Sequence, residues 1–318
     1  MTTSSMPVPA GAPTTTEPAE APKQTRARRR SPRLKQGQAN WVVKIVLLVI
    51  CLLWVVPTIG LFVTSFRTAD AVNSSGWWTV FASPFDFTQW TLDNYRETLF
   101  PTGRENGMAN AFLNSLVVAV PSTVIPILIA AFAAYAFTFM RFKGRDTLFV
   151  LIVALLVVPN QVALVPLLQV YGSLGLNGTF LAVWLAHAGF GMPLAIFILR
   201  GYMQTLPRSV IESASVDGAS HFTTFWRLII PMSVPALAAF AIFQFLWTWN
   251  DLLIALLFIG AGPNEVVQVN LAANVGGLGQ GWQLLTAGAF VSMIVPLLVF
   301  IGLQRYFVRG LTAGSVKG

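Results

Sequence analysis

SVIESASVDGASHFTTFWRLIIPMSVPAL, Ser209 to Leu237, is the longest polar interruption in the second half of an otherwise apolar chain. Ser209 and Glu212 stand at the spacing of a capping box, in which each side chain satisfies the other residue's free backbone N–H. A helix is therefore predicted to open just after Pro207, with Val210, Ala214 and Val216 as its apolar side. It should stop at Asp217-Gly218, because glycine accepts the left-handed conformation that ends helices. A second segment, Phe222 to Ile230, then leads back into apolar sequence through Pro231 and Pro235. The expected form is helix, turn and helix: a lever lying at a membrane surface.

Composition supports the membrane. The chain has 318 residues, 55% hydrophobic and 10% charged, with a mean hydropathy of +0.68, whereas soluble domains carry roughly 25% charged residues. One cysteine, Cys51, and two histidines, His187 and His221, exclude disulfides within the chain and cysteine or histidine metal clusters. No metal site is expected. The formal charge of +8 invites a nucleic-acid reading, but the basic residues sit at the edges of apolar segments, where they orient spans. No lysine is followed by Ser or Thr, so the phosphate-cradling G-x-x-x-x-G-K-[ST] loop is absent. Any ATP used must be hydrolysed on another chain.

Residues 1–40 are rich in Thr, Pro, Ala and Ser, then in Arg and Lys, and cannot bury enough apolar surface to fold alone. They are expected to form a disordered cytoplasmic tail touching anionic lipid. They do not read as a cleavable signal peptide, since the apolar run behind the basic run is long enough to span. The rest, 41–318, reads as one all-α transmembrane domain. A span needs roughly 20 apolar residues, and by that rule there are about six: Trp41 to Thr64, Ala111 to Met140, Thr147 to Tyr171, Thr179 to Arg200, Met232 to Gly260 and Leu284 to Tyr306.

With the N-terminus inside, the inner segments hold the basic tail, then Arg141, Lys143 and Arg145, then Arg200, Arg208 and Arg227, then Arg305, Arg309 and Lys317. The outer segments hold Arg67, Arg96 and Arg104 among five acids. Both termini and the lever are thereby assigned to the cytoplasm. Outside, 65–110 is a long connection whose aromatic residues suit an interfacial layer, with a helix start at Thr91-Leu92-Asp93-Asn94-Tyr95. The loop 172–178 is short. The loop 261–283 is glycine-rich, with Gly276, Gly277, Gly279 and Gly281, and is expected to be flexible and exposed. Most spans carry proline, which removes a backbone bond and permits a bend.

The lever resembles the cytoplasmic signature of the inner-membrane permease subunits of binding-protein-dependent ABC importers: E-A-A, three residues, G, and about ten residues later a hydrophobic pair with Pro. Here it stands as Glu212-Ser213-Ala214, Gly218 and Ile229-Ile230-Pro231, with Ser213 departing from the pattern. Asp217-Gly218-Ala219, the run Gln244-Phe245-Leu246-Trp247-Thr248-Trp249-Asn250-Asp251 and the tail QRYFVRGLTAGSVKG look like the carbohydrate branch, and specifically the maltose-type second permease. The resemblance covers 41–318. It implies that 209–220 is a coupling helix docking on a cytoplasmic ATPase dimer, which holds ATP and Mg while this chain carries no cofactor. It implies a second permease subunit, an extracytoplasmic sugar-binding protein contacted by 261–283, and a C-terminal tail that reaches the ATPase. The overall wording of the chain looks closest to α-glucoside carriers.

Polar groups at membrane depth are costly and face a bundle interior or water. Gln244, Trp247, Thr248 and Asp251 recur at three- and four-residue steps and are expected to share one face of the fifth span. That face, with Asn160 and Gln161 after Pro159, is the expected substrate pathway. His187 is expected to be a packing residue. A self-contained secondary transporter is the main alternative, but it should show an inverted repeat and several intramembrane carboxylates. An intramembrane enzyme would need a nucleophile with a base or a metal pair, and no H-E-x-x-H is present. No catalytic residue is expected.

Overall fold

The computed structural model describes residues 41–102, 107–273 and 281–312, with side chains as far as 304. The basic N-terminal tail, Arg104, the glycines Gly276, Gly277 and Gly279, and the end of the C-terminal tail lie outside the described residues.

Thirteen α-helices follow in order among the described residues. They are α1 Trp41–Ser65, α2 Ala69–Ser74, α3 Asp93–Leu99, α4 Met108–Phe139, α5 Arg145–Ala154, α6 Asn160–Ser173 and α7 Phe180–Met203. After these come α8 Arg208–Val216, α9 His221–Thr224, α10 Ile230–Trp249, α11 Leu253–Phe258, α12 Val267–Ala273 and α13 Trp282–Thr312. Among the described residues the one strand-like feature is an isolated bridge between Arg67 and Trp90. The chain divides within α1 into 1–53 and 54–318. Of the first unit the described part is the N-terminal half of α1, whose apolar side chains, Leu47 and Leu53 among them, are exposed.

Among the described residues five helices are long and apolar enough to cross a membrane: Trp41–Ser65, Met108–Phe139, Phe180–Met203, His221–Trp249 and Trp282–Gln304. The expected third span is broken instead. Arg145–Val157 and Asn160–Ser173 meet at 98°. The break falls at Pro159, which has no N–H for the preceding turn and holds Val158 extended, at φ −76° and ψ 120°. The expected fifth span, Met232 to Gly260, starts earlier and ends earlier, at Trp249, so Asp251 lies beyond it.

Within 54–318, α4 is the central post, packed along α7 and against α10, which in turn packs on α13. Lipid offers no hydrophobic drive between helices, so close approach by small residues holds them. Ala130, Ala131 and Ala134 of α4 meet Ala195, Ile196 and Leu199 of α7 in one buried cluster near the lever. A second cluster at the other end joins Val118 of α4, Ala182, Val183 and Ala186 of α7, and Ile254, Ala255 and Phe258 of α11.

That other end also carries 66–102. Asn94, buried on α3, donates from Nδ2 to the carbonyls of Ser65 at 2.9 Å and Arg67 at 2.8 Å, so α3 clamps the exit of α1. Arg67 is buried, and among the described residues no carboxylate pairs with it. Its guanidinium donates to the carbonyls of Ala71 and Ser75 where α2 ends, at the negative end of that helix dipole. Trp78, Phe81, Phe85 and Phe87 of this connection are all exposed.

The first half of 261–283 departs from the flexible, exposed loop expected. Asn114 Nδ2 donates to the carbonyls of Pro263 and Glu265, both at 3.0 Å, and Val267 N–H donates to Ser115 Oγ at 2.8 Å. Val266, Val267 and Val269 are buried. Val266 and Val269 pack with Val118 of α4 and Ile254, Ala255 and Phe258 of α11, and Val267 packs on Met108 and Ala111 of α4, which holds this part of the segment in place.

Candidate functional sites: a lever helix and an intramembrane polar cluster

The lever is a nine-residue helix, α8, that begins at Arg208 with Pro207 as its N-cap and no side-chain capping bond. The expected capping box between Ser209 and Glu212 does not form. Pro207 sits extended one residue before the helix, which therefore starts early and places Ser209 inside the first turn. The end matches expectation. Gly218 adopts φ +76°, its N–H reaches the Ser215 carbonyl at 3.2 Å, and the Ala219 N–H reaches the Ala214 carbonyl at 2.9 Å. This paired arrangement satisfies two carbonyls that would otherwise be free.

One face of α8 turns inward: Ala214 is buried and Ile211 packs on the α4–α7 cluster. Val216, expected on that side, is 88% exposed. It falls two residues past Ala214, about 200° around the helix. Ser209, Glu212, Ser213, Asp217 and Gly218 are exposed, and Ala219 is half-buried.

Ser220 caps the returning helix, accepting the Thr223 N–H at 3.2 Å. His221 Nδ1 lies 3.0 Å from the Tyr135 hydroxyl of α4. Phe225 is 1% exposed and stacks on Phe132 with centroids 4.2 Å apart and planes 21° apart. From Phe225 to Ile229 the helix widens to a π turn, in which the Ile230 N–H reaches the Phe225 carbonyl. Pro231 follows at once. It has no N–H to donate, and its ring would collide with the carbonyl four residues back in a regular helix; the wider turn relieves that collision. Tyr202 Oη of α7 donates to the Met232 carbonyl at 3.2 Å. The lever is thus bolted to α4 and α7 on both sides. Neither the aromatic stack nor the Ser220 cap was singled out in the sequence. Ser220 carried a readable signal, a Ser three residues ahead of a Thr at a helix start.

The six candidate pathway residues separate into two groups. Asn160, Gln161, Trp247 and Asp251 line one open cavity of about 340 Å³, together with Asn250 and Ile254. Gln244 and Thr248 do not reach it, because both point into helix contacts and are buried. Gln244 Nε2 donates to the carbonyls of Ser122 at 3.3 Å and His187 at 3.4 Å, pinning α10 to α4 and α7. The expected single face is split twice: Trp247 stands one residue, about 100°, from buried Thr248 and reaches the cavity, and Asp251 lies past the end of α10 at Trp249. Asp251 turns away from it and caps α11, accepting the Ile254 N–H at 2.9 Å.

His187 is buried as expected, yet it is central to this cluster. Its Nε2 lies 3.8 Å from Asp251 Oδ2, and its ring meets Trp247 edge to face at 5.5 Å. A histidine eight residues into an apolar helix gives no hint of those neighbours. The cavity thus offers an indole face, three amides and a carboxylate. An indole face suits the apolar C–H surface of a small polyhydroxylated solute, and the polar groups suit its rim.

Of the four glycines placed at the binding-protein contact, Gly281 is described. It adopts φ +87° at the entry to α13.

Residues 112–313 match the family described as binding-protein-dependent transport system inner membrane component. The chain is 57% identical to the osmoprotective compounds uptake permease protein GgtD of Synechocystis sp. over 86% of this chain and 91% of that protein. It is 42% identical to the alpha-glucoside transport system permease protein AglG of Rhizobium meliloti over 89% of this chain and 99% of the relative. The fold is similar to a chain of a bacterial ABC transporter involved in import of the acidic polysaccharide alginate, with a TM-score of 0.59 at 15% identity, covering 85% of this chain and 96% of that one.

Proposed function

The chain belongs to the family of binding-protein-dependent transport system inner membrane components, and from that premise we propose that it is the permease subunit of an ATP-driven importer carrying an α-glucoside-type sugar across the cytoplasmic membrane. The observation that carries this reading is the lever. A short helix ends in a glycine turn, holds one face against the α4–α7 core, and leaves Glu212, Ser213, Asp217 and Gly218 uncovered. With Val216 exposed beside them, this surface offers an apolar spot rimmed by charge and small residues, which suits contact with a protein partner. The partner is a cytoplasmic ATPase dimer, which holds ATP and Mg; this chain performs no catalysis.

Orientation follows from charge. Arg141, Lys143, Arg145, Arg200, Arg208 and Arg227 gather at the lever end, which is therefore cytoplasmic, as are both termini. The sugar class rests on the alpha-glucoside carrier AglG among the relatives and on the cavity lined by Asn160, Gln161, Trp247 and Asp251. A second permease subunit completes the path, and an extracytoplasmic sugar-binding protein delivers solute near 261–283.

In the cycle, ATP binding closes the ATPase dimer and displaces α8. The stack of Phe225 on Phe132 and the Tyr135–His221 contact pass that displacement into α4 and α10. The helices rearrange so that the cavity opens outward, and hydrolysis resets them. The test is reconstitution with the ATPase, second permease and binding protein, followed by uptake of labelled maltose, trehalose and sucrose. The expected result is saturable, ATP-dependent uptake of at least one, lost in Gly218→Val while the variant still inserts. A left-handed φ costs a side-chain-bearing residue about 1–2 kcal/mol, enough to distort the end of a nine-residue helix. Unchanged uptake and unchanged binding-protein-stimulated ATPase in that variant would remove the lever from the mechanism.

A further inference from the structure

At the lever end two adjoining pockets share Arg145. The smaller, about 190 Å³, lies between the ends of α4 and α7 and the entry to α8, and is lined by Phe137, Phe139, Arg145, Arg200, Leu206 and Arg208. The larger, about 450 Å³, surrounds the α4–α5 turn and is lined by Arg141, Arg145 and the first residues of α5. Four arginines therefore converge where the spans end, against one lining carboxylate, Asp146. Asp146 is engaged by Arg145 at 3.0 Å and is itself largely exposed.

Arg200 is the unusual member. Its guanidinium lies over the Phe149 ring, 3.8 Å from the centroid, and its Nε is buried without a hydrogen-bond partner. No carboxylate pairs with it among the described residues. A cation held under an apolar surface with an unused donor is costly unless something anionic completes it. The pocket also faces the start of α5, a ten-residue helix whose N-cap, Gly144, supplies no side-chain bond, so free N–H groups add positive potential there.

The ordinary account of arginines at helix ends is that they answer C-terminal carbonyls, and Arg145 does so, donating to the Met140 carbonyl at 3.4 Å. That account leaves the buried Nε of Arg200 unanswered, and Arg208 adds an exposed cation beside it. We propose that these pockets form a binding site for the phosphate of an anionic phospholipid of the inner leaflet, seated between the α4–α5 turn and the base of the lever. The site lies where α4 ends at Phe139 and α7 ends at Met203, the level at which a headgroup phosphate sits. The aromatic walls, Phe137 and Phe139, suit the upper acyl chain. A phosphate there touches Arg208, the first residue of α8, so lipid occupancy stiffens the joint through which the lever moves.

The inference uses the cytoplasmic placement of the lever but not the identity of the solute, and binding is read on the permease without transport. Native mass spectrometry of the assembled transporter, titrated with phosphatidylglycerol against phosphatidylcholine, is the experiment. Each cation near a lipid surface contributes such that removing two weakens binding about 30-fold. The expected result is that loss in Arg145→Gln/Arg200→Gln, with Arg145→Lys/Arg200→Lys staying within about fivefold of the parent, because lysine remains a point charge for phosphate. If the double glutamine variant fails to assemble, Arg145→Gln alone should weaken binding about fivefold. Equal phosphatidylglycerol affinity in the glutamine variants overturns the site. Equal stabilisation of the complex by inorganic phosphate in phosphatidylcholine assigns the pocket to a soluble anion and overturns the lipid.

Discussion

Gly191 on α7 is where a single hydrogen atom decides a helix contact. A Cβ there would lie 2.6 Å from Gln244 Oε1 and 2.8 Å from Nε2, and Gln244 is wholly buried with nowhere to retreat. Gly191→Ala should push the amide off the Ser122 and His187 carbonyls and lower stability by about 1–3 kcal/mol, the cost of leaving a buried polar group unmade. Adding Gln244→Ala to Gly191→Ala removes both the collision and the stranded amide, so the pair should be non-additive, with the double variant at least as stable as Gly191→Ala. Thermal denaturation of the purified complex measures all three. The sequence marked Gln244 as a costly polar residue at membrane depth. It could not say that the amide points at Gly191, which is a fact about the crossing of two helices 53 residues apart in sequence.

Among elements, the contrast between prolines is instructive. Pro57, Pro121, Pro126, Pro166, Pro193, Pro235 and Pro296 all sit inside helices that continue through them. Pro159 alone accompanies a 98° break. Composition does not separate these cases. The backbone ahead of the proline does: Val158 is extended, at φ −76° and ψ 120°, and cannot carry a helix into Pro159, whereas exposed α1 and packed α4 and α7 all stay helical through theirs. The lever's return segment shows the opposite strategy, in which the π turn at 225–229 takes up the disturbance ahead of Pro231 and keeps α10 continuous. Phe225→Ala should cost about 3–5 kcal/mol as a buried aromatic truncation. Because Phe225 joins the lever to α4, the variant should also keep basal ATPase while losing most binding-protein stimulation. Parallel denaturation and ATPase assays check both; retained stimulation would mean that force travels by another element.

For the whole molecule, the assignment of sides is the claim most open to direct measurement. Phe85 is 83% exposed at the end opposite the lever, and Val216 is 88% exposed on the lever. Cys51, the chain's one native thiol, is replaced by Ser in both probes. In right-side-out vesicles a membrane-impermeant maleimide should label Phe85→Cys rapidly and Val216→Cys only after permeabilisation. The reverse pattern would invert the topology and detach the lever from any cytoplasmic ATPase.

Class, span number to within one broken helix, the glycine that ends the lever and the distribution of positive charge were all determined by the sequence, because each depends on local chemistry: apolar length, a left-handed φ, a cation beside a span. The tertiary structure alone decided which polar residues meet. It separated Gln244 from Asp251, brought His187 beside Asp251, buried Val266, Val267 and Val269 in a segment expected to be loose, and gathered arginines from three helix ends into one pocket. Those outcomes depend on how helices cross and where one stops, and crossing is settled by packing between residues far apart in the chain.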